Sequence, residues 1–270
     1  MLPPEVYGAI IGDIVGSRFE FQPTKRTDFE LFGEGCRFTD DTVMTLAVAE
    51  AGIVYRQTKS LEAYREAVVD TMRAYGARYP AIGYGARFEH WLKTPGAGPY
   101  NSFGNGSAMR TASAAYFAED MDEAIALAET QAAVTHNHPQ GIRGARVITG
   151  CIYLAKTGVD KSVIRAFADG PGYDIMRTTA DIRPSYSFDV RCQGSVPESV
   201  ICFMEAESFE EAVRLAVSLG GDADTMAAMA GAVAAAKFGI PAAIRERAET
   251  YLDDFLRARL RAIFSQGEAV

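Results

Sequence analysis

Gly220-Gly221-Asp222-Ala223-Asp224-Thr225 leads directly into the run Met226-Ala227-Ala228-Met229-Ala230-Gly231-Ala232-Val233-Ala234-Ala235-Ala236. Two glycines, two carboxylates and a hydroxyl therefore precede a helix of small apolar residues. A helix without a polar face is expected to cross the protein interior. Carboxylates are rarely buried unless they are paired or bind a metal. The start of this helix therefore predicts a cationic partner inside the protein.

Most other segments of the chain also have helical periodicity, and we found no convincing period-two alternation typical of strands. Gly8, Gly12 and Gly16 recur at every fourth position of the first segment, which predicts that another backbone approaches that face closely. No change in composition indicates a linker. The sequence thus predicts an all-α fold in which residues 1–270 form one compact domain.

Predicted helices cover residues 6–17, 39–57, 60–77, 87–93, 120–136, 140–156, 160–168, 197–207, 209–219, 226–236 and 241–264. A further helix of alanines is predicted to follow the glycine-rich loop 102–110 and to end near Ala118. Ser60 and Ser208 are expected to cap their helices, as is Thr39. Residues 169–196 have mixed composition, and we assign no element to them.

The bulk composition excludes several classes of function. The 270 residues carry 27 basic and 35 acidic side chains, a net charge of −8. This charge argues against a general affinity for nucleic acid or for an anionic membrane. We find no signal peptide and no apolar run long enough to span a membrane. The four cysteines lack metal-ligand spacing, so we expect a reduced, cytoplasmic protein. We also expect a monomer.

Thr39-Asp40-Asp41 resembles the opening stretch chemically, because it also places hydroxyl and carboxylate oxygens at a helix start. Together with Asp222, Asp224 and Thr225 it offers four carboxylates and two hydroxyls. Ligands that are all oxygen suit Mg²⁺, Mn²⁺ or Ca²⁺, and four charges favour a centre of two metal ions. The alternative is ordinary helix capping, which also places acids in a first turn.

Four ordered motifs in this chain resemble those of the ADP-ribosylglycohydrolase family, which includes dinitrogenase reductase-activating glycohydrolases and hydrolases of ADP-ribosylarginine and ADP-ribosylserine. The motifs are Gly12-Asp13-x-x-Gly16-Ser17, Thr39-Asp40-Asp41-Thr42, Gly104-Asn105-Gly106-Ser107-Ala108-Met109-Arg110 and Gly220-Gly221-Asp222-Ala223-Asp224-Thr225. The resemblance implies a compact, orthogonal multi-helix domain with a binuclear Mg²⁺ or Mn²⁺ centre. It also implies hydrolysis of the C1″ glycosidic bond that links ADP-ribose to a side chain.

The resemblance further assigns expected roles to individual residues. It implies metal ligation by Thr39, Asp40, Asp41, Asp222, Asp224 and Thr225, and catalysis by Glu20, Asp40, Asp41 and Asp224. Glu20 is similar to a mobile glutamate of the family that covers a metal or moves protons. Substrate binding is expected from Gly83, Tyr84, Gly85, Ser102, Gly104, Asn105, Gly106, Ser107 and His136. Asp13 is expected to be a supporting or structural acid.

Two other functions stay open on the sequence. One is a different two-metal hydrolase, such as a nucleotide phosphoesterase, which would share the metal site and the phosphate loop. The other is a non-catalytic binder of ADP-ribose or a structural protein, against which the four intact acids argue. The partner is expected to be an ADP-ribosylated protein or a small molecule that contains ADP-ribose, with nucleic acid only as a modified substrate. The linkage that is cut and the choice between Mg²⁺ and Mn²⁺ also stay open.

Overall fold

The computed structural model describes residues 3–170 and 172–265. Within these ranges the chain forms fifteen helices and no strand, and β-pairing is limited to the isolated bridges Gly104–Arg191 and Gly170–Tyr173. The all-α prediction is therefore confirmed. The helices are α1 (Pro4–Gly16), α2 (Asp40–Thr58), α3 (Leu61–Arg78), α4 (Ala86–Lys93), α5 (Gly106–Met109), α6 (Ala114–Phe117), α7 (Met121–Ala133), α8 (Pro139–Lys156), α9 (Lys161–Ala168), α10 (Thr179–Ile182), α11 (Cys192–Glu205), α12 (Phe209–Ser218), α13 (Ala223–Phe238), α14 (Ala242–Glu249) and α15 (Asp254–Ser265).

Helix α13 lies at the centre of the fold, as its composition predicted. Every residue from 223 to 235 is buried. Helices α11 and α12 pack against α13, and α8 packs against it as well. A helix that is buried all round has no room for a polar face, which explains its run of alanines.

Helix α1 packs antiparallel on α13 through its glycine stripe. A Cβ added at Gly12 would lie 2.1 Å from the carbonyl oxygen of Ala227. One added at Gly8 would lie 2.3 Å from that of Gly231, and one at Gly16 would lie 2.4 Å from that of Ala223. The predicted close approach of a backbone is confirmed. Because the pairing is antiparallel, the end of α1 meets the start of α13.

The predicted capping residues are confirmed. The Thr39 hydroxyl accepts a hydrogen bond from the N–H of Asp41 at the start of α2. Ser60 caps α3 and Ser208 caps α12 in the same way. These caps satisfy N–H groups that have no partner inside their own helices.

The prediction of one last helix over 241–264 was wrong. The structure has α14 and α15, separated by residues 250–253. Asp253 accounts for the break, because its Oδ1 accepts a hydrogen bond from the N–H of Leu256 at 2.8 Å and so begins a new helix. The Asp253 carboxylate also accepts a hydrogen bond from the hydroxyl of Tyr79.

The alanine helix after the glycine-rich loop was also predicted incorrectly. It consists of two single turns, α5 and α6, which are interrupted at residues 110–113. Arg110 and Thr111 are buried there and bond to side chains of α7 and α8 rather than continuing one helix. Polar tertiary contacts thus outweigh the helix propensity of alanine.

Helix α11 begins at Cys192, although the sequence predicted a start at Pro197. The segment 169–196 therefore contains the first turns of α11 in addition to α10. Pro197 lies inside α11, where its missing N–H leaves one carbonyl of the preceding turn without a helical partner.

No helix in the described part of the chain is long and apolar enough to cross a membrane. The expectation of no signal peptide falls partly on Met1 and Leu2, which lie outside the described residues, as do Pro171 and residues 266–270. That residues 1–270 form a single domain stays a prediction.

Candidate functional site

A cavity of about 470 Å³ opens at the N-termini of α2 and α13. It brings together residues that are far apart in the sequence, from the loop after α1 to the start of α13. The predicted site residues that line it are Glu20, Asp40, Asp41, Gly83, Gly85, Ser102, Gly104, Asn105, Gly106, His136, Asp222, Asp224 and Thr225. The two acidic helix starts and the glycine-rich loop therefore belong to one site.

Three of the predicted residues do not line this cavity. The Thr39 hydroxyl donates a hydrogen bond to Asp13 Oδ1 at 2.7 Å, and the Ser107 hydroxyl donates one to the carbonyl of Gly141 at 2.7 Å. The Tyr84 ring packs against Phe88 at 5.6 Å between ring centroids. Their roles in metal or substrate binding stay predictions. In this structure their side chains contact residues that surround the cavity.

Asp13 on α1 organises the start of α2. Its carboxylate is fully buried and accepts hydrogen bonds from the N–H and the hydroxyl of both Thr39 and Thr42, at 2.5–3.0 Å. Four donors satisfy this carboxylate completely. Because Gly12 and Gly16 flank Asp13 on α1, one short segment fixes both acidic helix starts. The Gly-Asp-x-x-Gly motif thus has a structural explanation.

Glycine is required at positions 220 and 221, before Asp222, for two different reasons. Gly220 adopts a φ of 68°, which favours glycine. A Cβ on Gly221 would lie 2.2 Å from Cε1 of Tyr186. Gly221 therefore makes room for an aromatic ring.

The carboxylates at the two helix starts lie in a strongly unfavourable electrostatic environment. Burial raises the pKa of Asp40, Asp41 and Asp224, and charge repulsion among the neighbouring acids raises it further. Burial also raises the pKa of Asp222 to about 6, although a hydrogen bond from Asn105 Nδ2 at 2.7 Å opposes this shift. Cations near these groups would reverse the shifts.

Glu20 approaches the start of α13 from the loop that follows α1. One carboxylate oxygen each of Glu20, Asp222 and Asp224 lie within 4.8 Å of one another. Burial and the charge of Asp224 raise the pKa of Glu20 to about 7, and Arg37 opposes this. The Glu20 side chain is half-buried in the cavity wall.

These acids fit a site for divalent cations. Asp41 Oδ1 is buried and has no hydrogen-bond partner among the described residues, while Oδ2 accepts a 3.2 Å hydrogen bond from Thr225. A buried carboxylate oxygen without a donor is costly unless a cation or water completes it. The donors are all oxygens, which suits Mg²⁺ or Mn²⁺.

The opposite wall of the cavity is formed by the glycine-rich loop and His136. The ring nitrogen Nε2 of His136 would lie 3.3 Å from a Cβ on Gly106 and 3.6 Å from one on Gly104. Burial, with Arg110 and Arg87 nearby, holds the pKa of His136 well below its usual value, so the ring is neutral at neutral pH. This wall presents neutral hydrogen-bonding groups where the other presents acids.

Sequence reasoning missed the contribution of Phe188 and Val190 to the cavity. Phe188 and Val190 line it, and the N–H of Asn105 donates a 2.8 Å hydrogen bond to the carbonyl of Val190. Phe188 stacks on Phe21, with ring centroids 6.3 Å apart. Nothing in the composition of this segment signals such a role. For Phe21, proximity to Glu20 was the only available signal.

Other residues of the cavity wall were likewise not predicted. Met109 and Arg110 belong to a motif that we quoted, so the motif was a usable signal for them. Tyr100, Arg87 and Phe88 lie in segments that read as loop or as a short helix, without a chemical signature. The remaining wall is formed by these residues and Ala86.

Comparisons with known proteins identify the family of the chain. The chain is 28% identical to ADP-ribosylarginine hydrolase Tri1 of Pseudomonas putida (strain GB-1), over 86% of this chain and 69% of that protein. It is 25% identical to human ADP-ribosylhydrolase ARH3, over 96% of this chain and 92% of that protein. A solved structure described as an ADP-ribosylglycohydrolase-related protein complex superposes with a TM-score of 0.68 at 24% identity, over 97% of this chain and 98% of that one, which shows a shared fold. The family model of ADP-ribosylglycohydrolase matches residues 6–268, and the chain therefore belongs to the ADP-ribosylglycohydrolase family.

Proposed function

We propose that this protein is a metal-dependent hydrolase that cleaves the C1″ glycosidic bond between ADP-ribose and a protein side chain and releases ADP-ribose. The observation that carries the proposal is the single cavity that joins a buried carboxylate cluster to a glycine-rich loop with a neutral histidine. Membership of the family and the hydrolase names of the relatives support it. The same site chemistry suits an ADP-ribosylated protein or a small molecule that contains ADP-ribose.

Two divalent cations, Mg²⁺ or Mn²⁺, would be held at the acidic wall. Asp40, Asp41, Asp222, Asp224 and Thr225 line this part of the cavity, and Thr39 lies at the start of α2 beside Asp40 and Asp41. When bound, such ions supply positive charge that orients ribose hydroxyls and lowers the pKa of water. The unpartnered oxygen of Asp41 and the raised pKa values of the acids support this assignment.

The substrate would lie with its phosphates toward the glycine-rich loop and its distal ribose toward the acids. Gly104 and Gly106 remove side chains from the loop, so that backbone N–H groups can approach an anion. Asn105 links both walls, because its backbone N–H donates a hydrogen bond to the carbonyl of Val190 and its side-chain amide donates one to Asp222. A displacement of the loop is therefore expected to shift the position of the Asp222 carboxylate.

During cleavage positive charge develops at C1″, as in other glycoside hydrolysis. The carboxylates of Asp40, Asp41 and Asp224, which bound cations would keep ionised, would stabilise that charge. Glu20 is the acid best placed to exchange a proton with water or the leaving group, because it enters from a loop and is only half-buried.

The experiment that tests the proposal is an assay of purified protein with arginine- and serine-ADP-ribosylated proteins, each with Mg²⁺ or Mn²⁺. We expect free ADP-ribose from at least one linkage, and chelation by EDTA is expected to abolish its release. Release of AMP in its place would instead support a phosphoesterase. Binding of ADP-ribose without any turnover on the panel would support a non-catalytic binder.

The setting of the protein is part of the proposal. All four cysteines are free and buried, which supports the expected reduced, cytoplasmic environment. The monomeric state stays a prediction, and size-exclusion chromatography with light scattering would test it.

A further inference from the structure

A row of buried polar side chains lies behind the histidine wall of the cavity. Arg110, Gln131, Thr135 and His136 are all at most 5% exposed. The Arg110 Nε donates a 2.8 Å hydrogen bond to Gln131 Oε1, and Nη2 donates a 2.9 Å hydrogen bond to Thr135 Oγ1. Gln131 Nε2 in turn donates to the carbonyl of Ser107 at 2.8 Å. The row thus connects helix α7 to the glycine-rich loop.

The direction of these hydrogen bonds determines the tautomer of His136. A guanidinium can only donate, so Thr135 Oγ1 accepts from Arg110. In the described part of the structure, the only acceptor within reach of the Thr135 hydroxyl proton is His136 Nδ1, at 2.7 Å. His136 Nδ1 therefore accepts, and a neutral ring must carry its proton on Nε2. Because burial and the two nearby arginines keep the pKa of His136 low, the ring is neutral.

The protonated Nε2 faces the ligand cavity. It lies beside the glycine-rich loop, 3.3 Å from where a Cβ on Gly106 would be and 3.6 Å from where one on Gly104 would be. None of the hydrogen bonds among the described residues uses Nε2, so this donor is available to a ligand. Phosphate oxygens only accept hydrogen bonds, and a neutral N–H suits them at any pH at which the ring stays neutral.

We propose that Thr135 is a positioning residue, which together with Arg110 holds His136 in the Nε2-protonated form so that the ring donates to a phosphate oxygen of the ligand. This inference rests on the proposed function for the identity of the ligand. Thr135 itself does not line the cavity, whereas Arg110 and His136 do. An effect of Thr135 on ligand affinity must therefore pass through its hydrogen bonds.

The test uses Thr135→Val, which removes the hydroxyl at nearly constant shape, and Thr135→Ser, which keeps it. Thr149→Val is the matched control, because Thr149 shares a buried 2.6 Å hydroxyl contact with Thr111 elsewhere in the fold. The tautomer is read by ¹⁵N–¹H NMR of the imidazole rings. The chain has only three histidines, His90, His136 and His138, so the signals of His136 can be assigned with His136→Gln.

In the wild-type protein we expect Nδ1 of His136 to be unprotonated and Nε2 to be protonated. Thr135→Val is expected to change the Nδ1 signal and to weaken ADP-ribose binding, measured by isothermal titration, by about 3- to 10-fold. Thr135→Ser should restore both, and Thr149→Val should lower thermal stability without changing either.

A proton on Nδ1 of wild-type His136 would overturn the inference, as would a folded Thr135→Val protein with unchanged tautomer and affinity. If the wild-type protein binds no ADP-ribose at all, the proposed function fails. The NMR experiment still decides the tautomer in that case, so the two failures are distinguishable.

Discussion

The two ends of the cavity, one acidic and one formed around His136, differ in their electrostatics. At the acidic end, buried carboxylates have raised pKa values, and Asp41 Oδ1 has no donor among the described residues. At the histidine end, the buried Arg110 is surrounded by acceptors, and His136 is held neutral. The charge of Arg110 is therefore matched by acceptors of the protein itself, whereas the acids repel one another and Asp41 keeps a buried oxygen without a donor among the described residues.

This difference shows that the side chains at the two ends are held in place by different interactions. The hydrogen bonds of the histidine end fix side chains before a ligand arrives, so little ordering is left for binding. The acids are fixed differently, by α1 packing on α13 and by Asp13 bonding to α2. The cations that we propose for this end would relieve the repulsion among these acids in the folded state.

The largest expected effect comes from removing one charge at the acidic end. Asp224→Asn keeps the shape of the side chain but removes the charge that would hold a cation, so release of ADP-ribose should fall by more than about a hundredfold. Turnover is measured on whichever ADP-ribosylated protein proves to be the substrate. Asp70→Asn, at an exposed position of α3, is the control and should be as active as wild type. Equal activity of both variants would remove the acids from the mechanism.

The next effect tests how the acidic end is held in place. In Gly12→Ala the new Cβ would lie 2.1 Å from a backbone oxygen of α13, so the two helices must move apart. We expect a loss of about 3 kcal/mol of unfolding free energy, although alanine is intrinsically favoured in a helix by about 1 kcal/mol.

Urea denaturation measures the effect of Gly12→Ala. Gly98→Ala introduces the same methyl group where no atom lies within 4 Å, and should change stability by less than about 1 kcal/mol. A Gly12→Ala protein as stable as the Gly98→Ala protein would show that α1 and α13 can move apart at little cost in unfolding free energy.

Addition of metal should distinguish the two ends directly. Because cations relieve the repulsion among the acids, Mg²⁺ or Mn²⁺ at a hundred times its dissociation constant should stabilise the wild-type protein by about 2.7 kcal/mol. In EDTA the Asp224→Asn protein should melt at a higher temperature than wild type, since one repelling charge is gone, and metal should stabilise it far less. Differential scanning calorimetry of both proteins, with and without metal, makes the measurement. Identical responses of the two proteins would contradict the assignment.

The smallest effect concerns the histidine end and its response to acid. The unfolded chain binds a proton at His136 below a pH of about 6.5, whereas the folded ring, facing Arg110 and Arg87, does not. The unfolded state then holds more protons, so stability falls as the pH falls below about 6.5, by at most about 1.4 kcal/mol per pH unit.

The measurement compares urea denaturation of wild type and His136→Gln at several values between pH 7 and pH 5. Glutamine does not titrate, so the variant should lose less stability on acidification. All other titrating groups are common to both proteins and cancel in the difference. Parallel pH profiles would mean that His136 titrates normally in the folded protein.

Much of the fold and part of the site could be predicted from local patterns. The run 226–236 predicted a buried helix, and Gly8, Gly12 and Gly16 predicted its close partner, because both signals depend on residue size alone. Helix starts were readable from capping residues. The failed boundary at Arg110 depends on a contact with a distant side chain, Gln131. The break before α15 depends on a local cap by Asp253 that the prediction overlooked, and the start of α11 at Cys192 had no capping signal.

The sequence by itself determined the helical architecture and the chemistry of the two acidic helix starts, because spacing and residue type act over a few neighbouring positions. Only the tertiary structure decided where each side chain points. It directed Thr39 to Asp13, brought Val190 onto the glycine-rich loop, and placed the Thr135 hydroxyl between Arg110 and His136 Nδ1. These outcomes depend on partners that are close in space and, for most of them, far apart along the chain, and no local pattern contains that information.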